Sequence, residues 1–222
     1  MRRLAFFVAL TAYTIIAQPS FARDCTTDSA EDRWGIKTSV PDGVLDLTPK
    51  KISLQSLMDV ANPAISKAQK AALKDRRWAG RVQLSDSDGN GVSLKEGDMI
   101  TAEGFLYRIG CKTDGDFHLE VGTADNPRAP HCWIVEVPDP NEIKGNKDLK
   151  SNIVEVRKVL DGLPNGIFSS KANAPPVRVT ITGQLFLDAH HLGGKDPSGR
   201  RGRGFCATNI WEIHPVTGLT VH

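Results

Sequence analysis

The sequence predicts a mainly β (α+β) fold: five strands curled into a small barrel, a helix between the third and fourth, and an N-terminal arm bearing one further helix. Three observations predict it. Beyond Gly97 come three runs rich in β-branched and aromatic residues, Met99–Cys111, Asp116–Val121 and Cys132–Val137. Residues 141–161 then place Ile143, Leu149, Ile153, Val156, Val159 and Leu160 at roughly helical spacing, with Gly162 and Pro164 as stops. Two more strand-like runs follow, Val177–Leu187 and Thr208–His214, and Leu219-Thr220-Val221 offers an extension of the sheet. Three strands, a helix and two strands is the order of the OB-type barrel, whose helix stops one end. A generic α+β sandwich is the competing arrangement.

The chain opens Met1-Arg2-Arg3, continues with an apolar stretch from Leu4 to Ala17, and reaches Ser20-Phe21-Ala22. A basic start, a short apolar core and small residues at the −3 and −1 positions, Ser20 and Ala22, predict a signal peptide over 1–22. The stretch is shorter than the roughly 20 residues of a spanning helix, and no later segment predicts a transmembrane span. The expectation is an exported protein, periplasmic or secreted.

Cleavage after Ala22 leaves 200 residues, an N-terminal arm (23–96) and a barrel domain (97–222). The whole chain carries 28 basic and 26 acidic side chains, and loss of Arg2 and Arg3 brings the mature net charge to zero with neutral histidines. That excludes a global charge suited to nucleic acid, so any basic character is local.

The arm is loosely patterned over 23–60, with only Trp34 and Val44-Leu45-Asp46-Leu47 offering much to bury. A helix is predicted over 62–77, with Asn62 as N-cap and Pro63 in its first turn. Asp86-Ser87-Asp88-Gly89-Asn90-Gly91 resembles the start of an EF-hand calcium loop. The match fails further on, where position twelve is Gly97 rather than Glu and position eight is Ser93. An ordinary turn accounts for the run.

Within the barrel, Gly104 predicts a bulge in the long first strand, and Thr113-Asp114-Gly115 predicts the turn into the second. The four cysteines, Cys25, Cys111, Cys132 and Cys206, all follow the signal segment and predict two disulfides. No two of them stand at the spacing that structural zinc sites favour. Strands three and five of an OB barrel are parallel neighbours. Cys132 and Cys206 precede these two strands, so they are expected to pair, leaving Cys25 for Cys111.

Alternation sorts the side chains into two faces. Phe117, Leu119 and Val121 point inward with Trp133, Val135, Val137, Trp211 and Ile213. Asp116, His118, Glu120, Ile134, Glu136, Glu212 and His214 point outward. Barrel closure would bring Asp116, His118, Glu136, Glu212 and His214 into one carboxylate–imidazole cluster. Such groups suit a divalent metal ion and can also act as general acid and base, Glu136 among them. The alternative is a solvated face of cross-strand pairs. Asp188 and one of His190 and His191 would stand near enough to extend the cluster.

Between the last two strands, 193–205 is a Gly-rich loop with Arg200, Arg201, Arg203 and Phe205. In OB-type barrels this loop and the face of strands two and three grip oligonucleotides or oligosaccharides. Arginines neutralise phosphates and an aromatic ring stacks on bases.

Residues 98–218 resemble a family of exported bacterial proteins with OB-fold-like barrels and no assigned activity. The resemblance rests on Asp114-Gly115-Asp116-Phe117-His118-Leu119, on Ile134-Val135-Glu136-Val137-Pro138-Asp139-Pro140, on Val179-Thr180-Ile181-Thr182-Gly183 with Phe186, Asp188 and His191, and on Trp211-Glu212-Ile213-His214-Pro215-Val216. It implies the barrel rather than a function. A fainter resemblance is to staphylococcal-type nucleases, through Asp114-Gly115-Asp116 and Asp139-Pro140-Asn141-Glu142. That resemblance implies metal ligation by Asp116 and Asp139, with Glu142 as the catalytic base. The chain departs from it at Ile134, where those enzymes carry an arginine, and a second catalytic arginine has no match. Charge on a phosphoryl transition state would therefore lack its usual partners.

The leading expectation is an exported binding module whose barrel grips a polyanion, glycan or protein through Arg200, Arg201, Arg203 and Phe205. The alternative is a metal-dependent hydrolase or nuclease-like phosphodiesterase. A structural component of the envelope is the third reading.

Overall fold

The computed structural model describes residues 34–59, 94–112, 114–125, 131–168, 175–188 and 206–222. The predicted signal segment, the helix at 62–77, the run 86–91, His190, His191 and the loop 193–205 lie outside them.

Six strands form one sheet: β1 (Lys50–Lys51), β2 (Met99–Cys111), β3 (Phe117–Gly122), β4 (Cys132–Val137), β5 (Val177–Leu187) and β6 (Ala207–Val221). Their order is β1-β2-β3-β4-β6-β5, and β2 also pairs with β5, so strands β2 to β6 close into a mixed barrel consistent with the OB type. The length of β2 makes closure work. Its first half runs antiparallel to β5, from Met99 opposite Gln184 to Leu106 opposite Val177. Its second half runs antiparallel to β3, ending with Cys111 opposite Phe117. The seam between β4 and β6 is parallel.

The predicted alternation holds. Phe117, Leu119, Val121, Trp133, Val135, Val137, Trp211 and Ile213 all join the main core. Outside the barrel, Ile134 packs with Tyr107, Cys132 and Ala207 in a second, small apolar cluster. The helix predicted over 141–161 is a 3-10 turn (Pro140–Glu142) followed by an α-helix, Lys147–Asp161. Asn146 caps that helix by accepting from the Leu149 amide at 2.9 Å, satisfying one of the free N–H groups of its first turn. Leu149, Ile153, Val156 and Leu160 are buried on one face. Val159 departs from expectation and is exposed, because it falls off the stripe those four residues define.

One further expectation is corrected. Gly104 pairs regularly with Val179, and the irregularity of β2 falls between Leu106 and Arg108 instead. Glycine is needed at 104 for space: a Cβ there would stand 2.7 Å from Leu54 Cδ2 and from Val121 Cγ1. The last strand takes in the expected extension Leu219-Thr220-Val221, running unbroken past His214 to Val221. Proline has no N–H for a ladder, yet Pro215 is tolerated because the β5–β6 register shifts between Gly183 and Leu185, beside it.

The arm is more ordered than its sequence pattern suggests. A helical turn, Trp34–Lys37, leads to a 3-10 turn, Val44–Asp46, then to β1 and a short helix, Leu54–Asp59. β1 adds to the free side of β2, parallel to it. Val40, Val44, Ile52, Leu54, Leu57 and Met58 enter the same core as the barrel residues. Arm and barrel therefore share one interior.

Cys132 and Cys206 form the expected disulfide, with Cα atoms 5.1 Å apart across the start of the parallel seam. Cys111 is also disulfide-bonded, and its expected partner Cys25 lies outside the described residues. Among the described residues, no helix is long and apolar enough to cross a membrane.

Candidate metal centre

Strand register brings the outward polar residues together. His118 lies directly opposite Glu136 across β3 and β4, and Ile134 opposite Glu212 across the parallel seam. His214, two residues beyond Glu212, thereby reaches Glu136. Asp116 comes from the turn before β3. The five predicted residues Asp116, His118, Glu136, Glu212 and His214 all converge, with His214 as the hub. Its Nδ1 is 2.9 Å from Glu136 Oε2 and 3.6 Å from Glu212 Oε2, and its Nε2 is 3.5 Å from Asp116 Oδ2.

The turn that delivers Asp116 is tightly tied. Gly115 takes a positive φ of 85°, a conformation glycine adopts without strain. The Asp116 amide donates to Asp114 Oδ1 at 3.2 Å, and Asp116 Oδ1 accepts from the Asp139 amide at 3.2 Å. Arg157, on the long helix, donates to the carbonyls of Gly115 at 2.6 Å, Val137 at 3.0 Å and Pro138 at 2.9 Å, and lies over the Phe117 ring. One guanidinium fork thus fixes the Asp-Gly-Asp turn to the end of β4.

A solvated face is excluded, since none of the five cluster residues is more than 5% exposed. The cover comes from the arm. Lys37, itself buried, extends its ammonium to 3.7 Å from both Asp114 Oδ2 and Glu136 Oε2. Ile36 beside it presents its carbonyl to Gln184 Nε2, which also donates to the carbonyl of His214. Phe186 flanks the His214 ring, with centroids 5.5 Å apart.

Burial and charge compete at each titratable group. Burial would drive the proton off Lys37, but Glu136, Glu212, Asp188 and Asp116 hold its pKa well above the ordinary value. Burial opposes ionisation of Glu136 as well, yet Lys37, His118 and His214 keep it well below the ordinary carboxylate range. An ionised Glu136 can only accept, so His118 Nδ1–H donates to its Oε1, at 2.9 Å. His214 would be neutralised by burial, but Glu136 and Glu212 push its pKa up to about 9. Asp116 goes up to about 7, driven first by burial and opposed by His214.

One oxygen each of Asp116 and Glu136 and one ring nitrogen of His214 lie within 4.8 Å of one another. Asp116 Oδ2, Glu136 Oε2 and both His214 nitrogens are buried and make no hydrogen bond of acceptable geometry. Their contacts with one another are ion-pair approaches in which His214 stands between the Glu136 and Asp116 carboxylates. Two carboxylates and an imidazole are a donor set for zinc or a similar divalent ion, with Glu212 and His118 alongside. A second group, Glu120 with Cys132 and Cys206, offers no thiolate because its sulfurs are joined, and Glu120 is paired with Arg108.

Of the acidic residues that carry the nuclease resemblance, Asp139 stands beside Asp116, donating its amide to Asp116 Oδ1, and its own Oδ1 caps the 3-10 turn by accepting from the Asn141 amide at 2.8 Å; Glu142 lies on that turn. Ile134 is fully buried. Asp188 is buried at the end of β5, close enough for its charge to act on Lys37. Arg200, Arg201, Arg203 and Phe205 lie outside the described residues. Sequence reasoning missed Lys37 and Arg157. Lys37 carries no signal, whereas Arg157 was findable as a cation on the polar side of a predicted helix. Neither protein-family models nor curated proteins give a match to this chain.

Proposed function

We propose that this is an exported metal-dependent hydrolase, with a divalent ion of the zinc class held on the outside of the barrel by Asp116, Glu136 and His214. One observation carries the reading: three ligand-type atoms from three separate strands or turns meet within 4.8 Å, buried and without hydrogen bonds. Three protein ligands would leave a fourth position for water, as in catalytic rather than structural zinc sites, and Glu212 and His118, which belong to the same cluster, would serve as general base and acid. A disulfide and the lack of a membrane-spanning helix among the described residues are compatible with export.

The test is metal content after zinc or manganese reconstitution, with hydrolysis of bis(p-nitrophenyl) phosphate and p-nitrophenyl acetate as activity probes. Wild type is expected to retain one ion per chain and Asp116→Asn, Glu136→Gln and His214→Ala to lose it. A wild-type protein that retains no metal ends the reading.

A second reading, a binding module for a polyanion, glycan or protein, is favoured by the composition of the stretch between Asp188 and Cys206. Its Arg200, Arg201 and Arg203 are the groups that would draw an anionic ligand. Unchanged affinity for oligonucleotides and acidic glycans after all three are replaced by Ala rules this reading out.

A further inference from the structure

We propose that Lys37 is a tethered counter-ion that keeps the metal centre closed, so that the arm segment carrying it competes with a divalent cation for the same carboxylates. The inference rests on the metal-centre reading and concerns its regulation.

The competition follows from which atoms are shared. The Lys37 ammonium stands 3.7 Å from Glu136 Oε2, the oxygen that also faces His214 Nδ1 at 2.9 Å. A divalent ion on that oxygen would sit at about 2.0–2.2 Å from it. The ammonium and the ion would then be neighbours in a buried, weakly screened space, where like charges repel strongly. Both cannot be held at full strength. The ammonium is no accidental visitor, because its second partner, Asp114 Oδ2, is buried too and lies at the same 3.7 Å. Asp114 belongs to the Asp-Gly-Asp turn that delivers Asp116, so one short stretch of chain supplies both a metal ligand and the latch for the competing cation.

The turn that carries Lys37 is short, four residues, Trp34–Lys37, and the Ile36 carbonyl accepts from Gln184 Nε2 at 3.4 Å. Ile36 and Val40 add apolar burial. Withdrawal of Lys37 would uncover the cluster from the arm side, giving ion and substrate a common way in.

Zinc titration calorimetry on the full mature chain tests this with three proteins: wild type, Lys37→Met and Asp114→Asn. Lys37→Met keeps the length of the side chain and removes its charge, and zinc affinity is expected to rise by about tenfold or more, as loss of one close positive charge implies. Asp114→Asn keeps the Oδ1 acceptor for the Asp116 amide but loosens the ammonium's hold, and is expected to tighten binding by a smaller factor. It also serves if Lys37→Met does not fold. Equal or weaker zinc binding in the variants overturns the counter-ion role while leaving the metal centre standing. Absence of zinc binding in all three proteins defeats the metal centre itself.

Discussion

His214 reaches across the parallel seam of the barrel to Glu136, placing its Nδ1 2.9 Å from a carboxylate oxygen that no solvent reaches. Glu136 simultaneously accepts from His118 and faces Lys37. One carboxylate therefore holds three cationic or potentially cationic groups from three parts of the chain. Glu136→Gln preserves the shape and removes the charge. The metal-free protein should lose about 3 kcal/mol or more, since breaking a buried pair strands its partners. Urea unfolding in the presence of chelator measures it. A loss below about 1 kcal/mol, typical of a surface pair, would contradict the arrangement.

The raised pKa of His214 sets an alkaline limb of stability in the metal-free protein. Unfolded, this imidazole titrates at 6.5, and folded it holds its proton to about 9. Its contribution is thus complete below pH 6.5 and disappears as pH rises through about 9. Asp116, raised from 3.8 to about 7, acts in the same direction at lower pH, while the depressed Glu136 acts the opposite way below pH 4.5, where its contribution is lost as pH falls. The urea midpoint is expected to fall between pH 6.5 and 9.5 in the wild type and to lose most of that slope in His214→Gln. Identical slopes in the two proteins would assign the limb to other groups.

Gly183 is expected to tolerate no side chain. A Cβ there would stand 2.5 Å from Ile213 Cγ2, 2.6 Å from the Pro215 carbonyl oxygen and 3.0 Å from Val216 Cα. Two of those three atoms are backbone, which cannot swing aside as a side-chain tip can. Gly183→Ala should cost about 1–3 kcal/mol by overpacking and displace the register of β5 on β6. Gly104→Ala, whose two nearest neighbours are side-chain methyls, should cost less. Thermal or urea unfolding of both variants gives the ranking, and a milder effect at 183 than at 104 would contradict it.

The sequence showed the barrel's inner and outer faces because a period of two leaves no choice once one residue of a strand is assigned. Phe117 inside forces His118 outside, and the same parity sets Glu136, Glu212 and His214. Strand order then brought Cys132 to Cys206 and Glu136 to His214. What parity cannot supply is the layer above the sheet. Glu136 and His214 alternate just as they would on a wet surface, and their cover includes Lys37, far earlier in the chain and in a stretch without periodicity. The tolerance of Pro215 within the last strand has a related cause: its missing N–H falls where the β5–β6 register shifts beside Gly183. Val159 shows the reverse limit, an apolar residue at nearly the right interval that the helix leaves in water.

The parallel seam between β4 and β6 has a consequence for the order of assembly. Parallel neighbours cannot be joined by a tight turn, and here the intervening chain contains the long helix and β5. The strand that supplies Glu212 and His214 follows the other five in chain order, and it must fit between β4 and β5. Before it docks there is neither a closed wall nor an imidazole hub, and Glu136 has Lys37 and His118 beside it without His214.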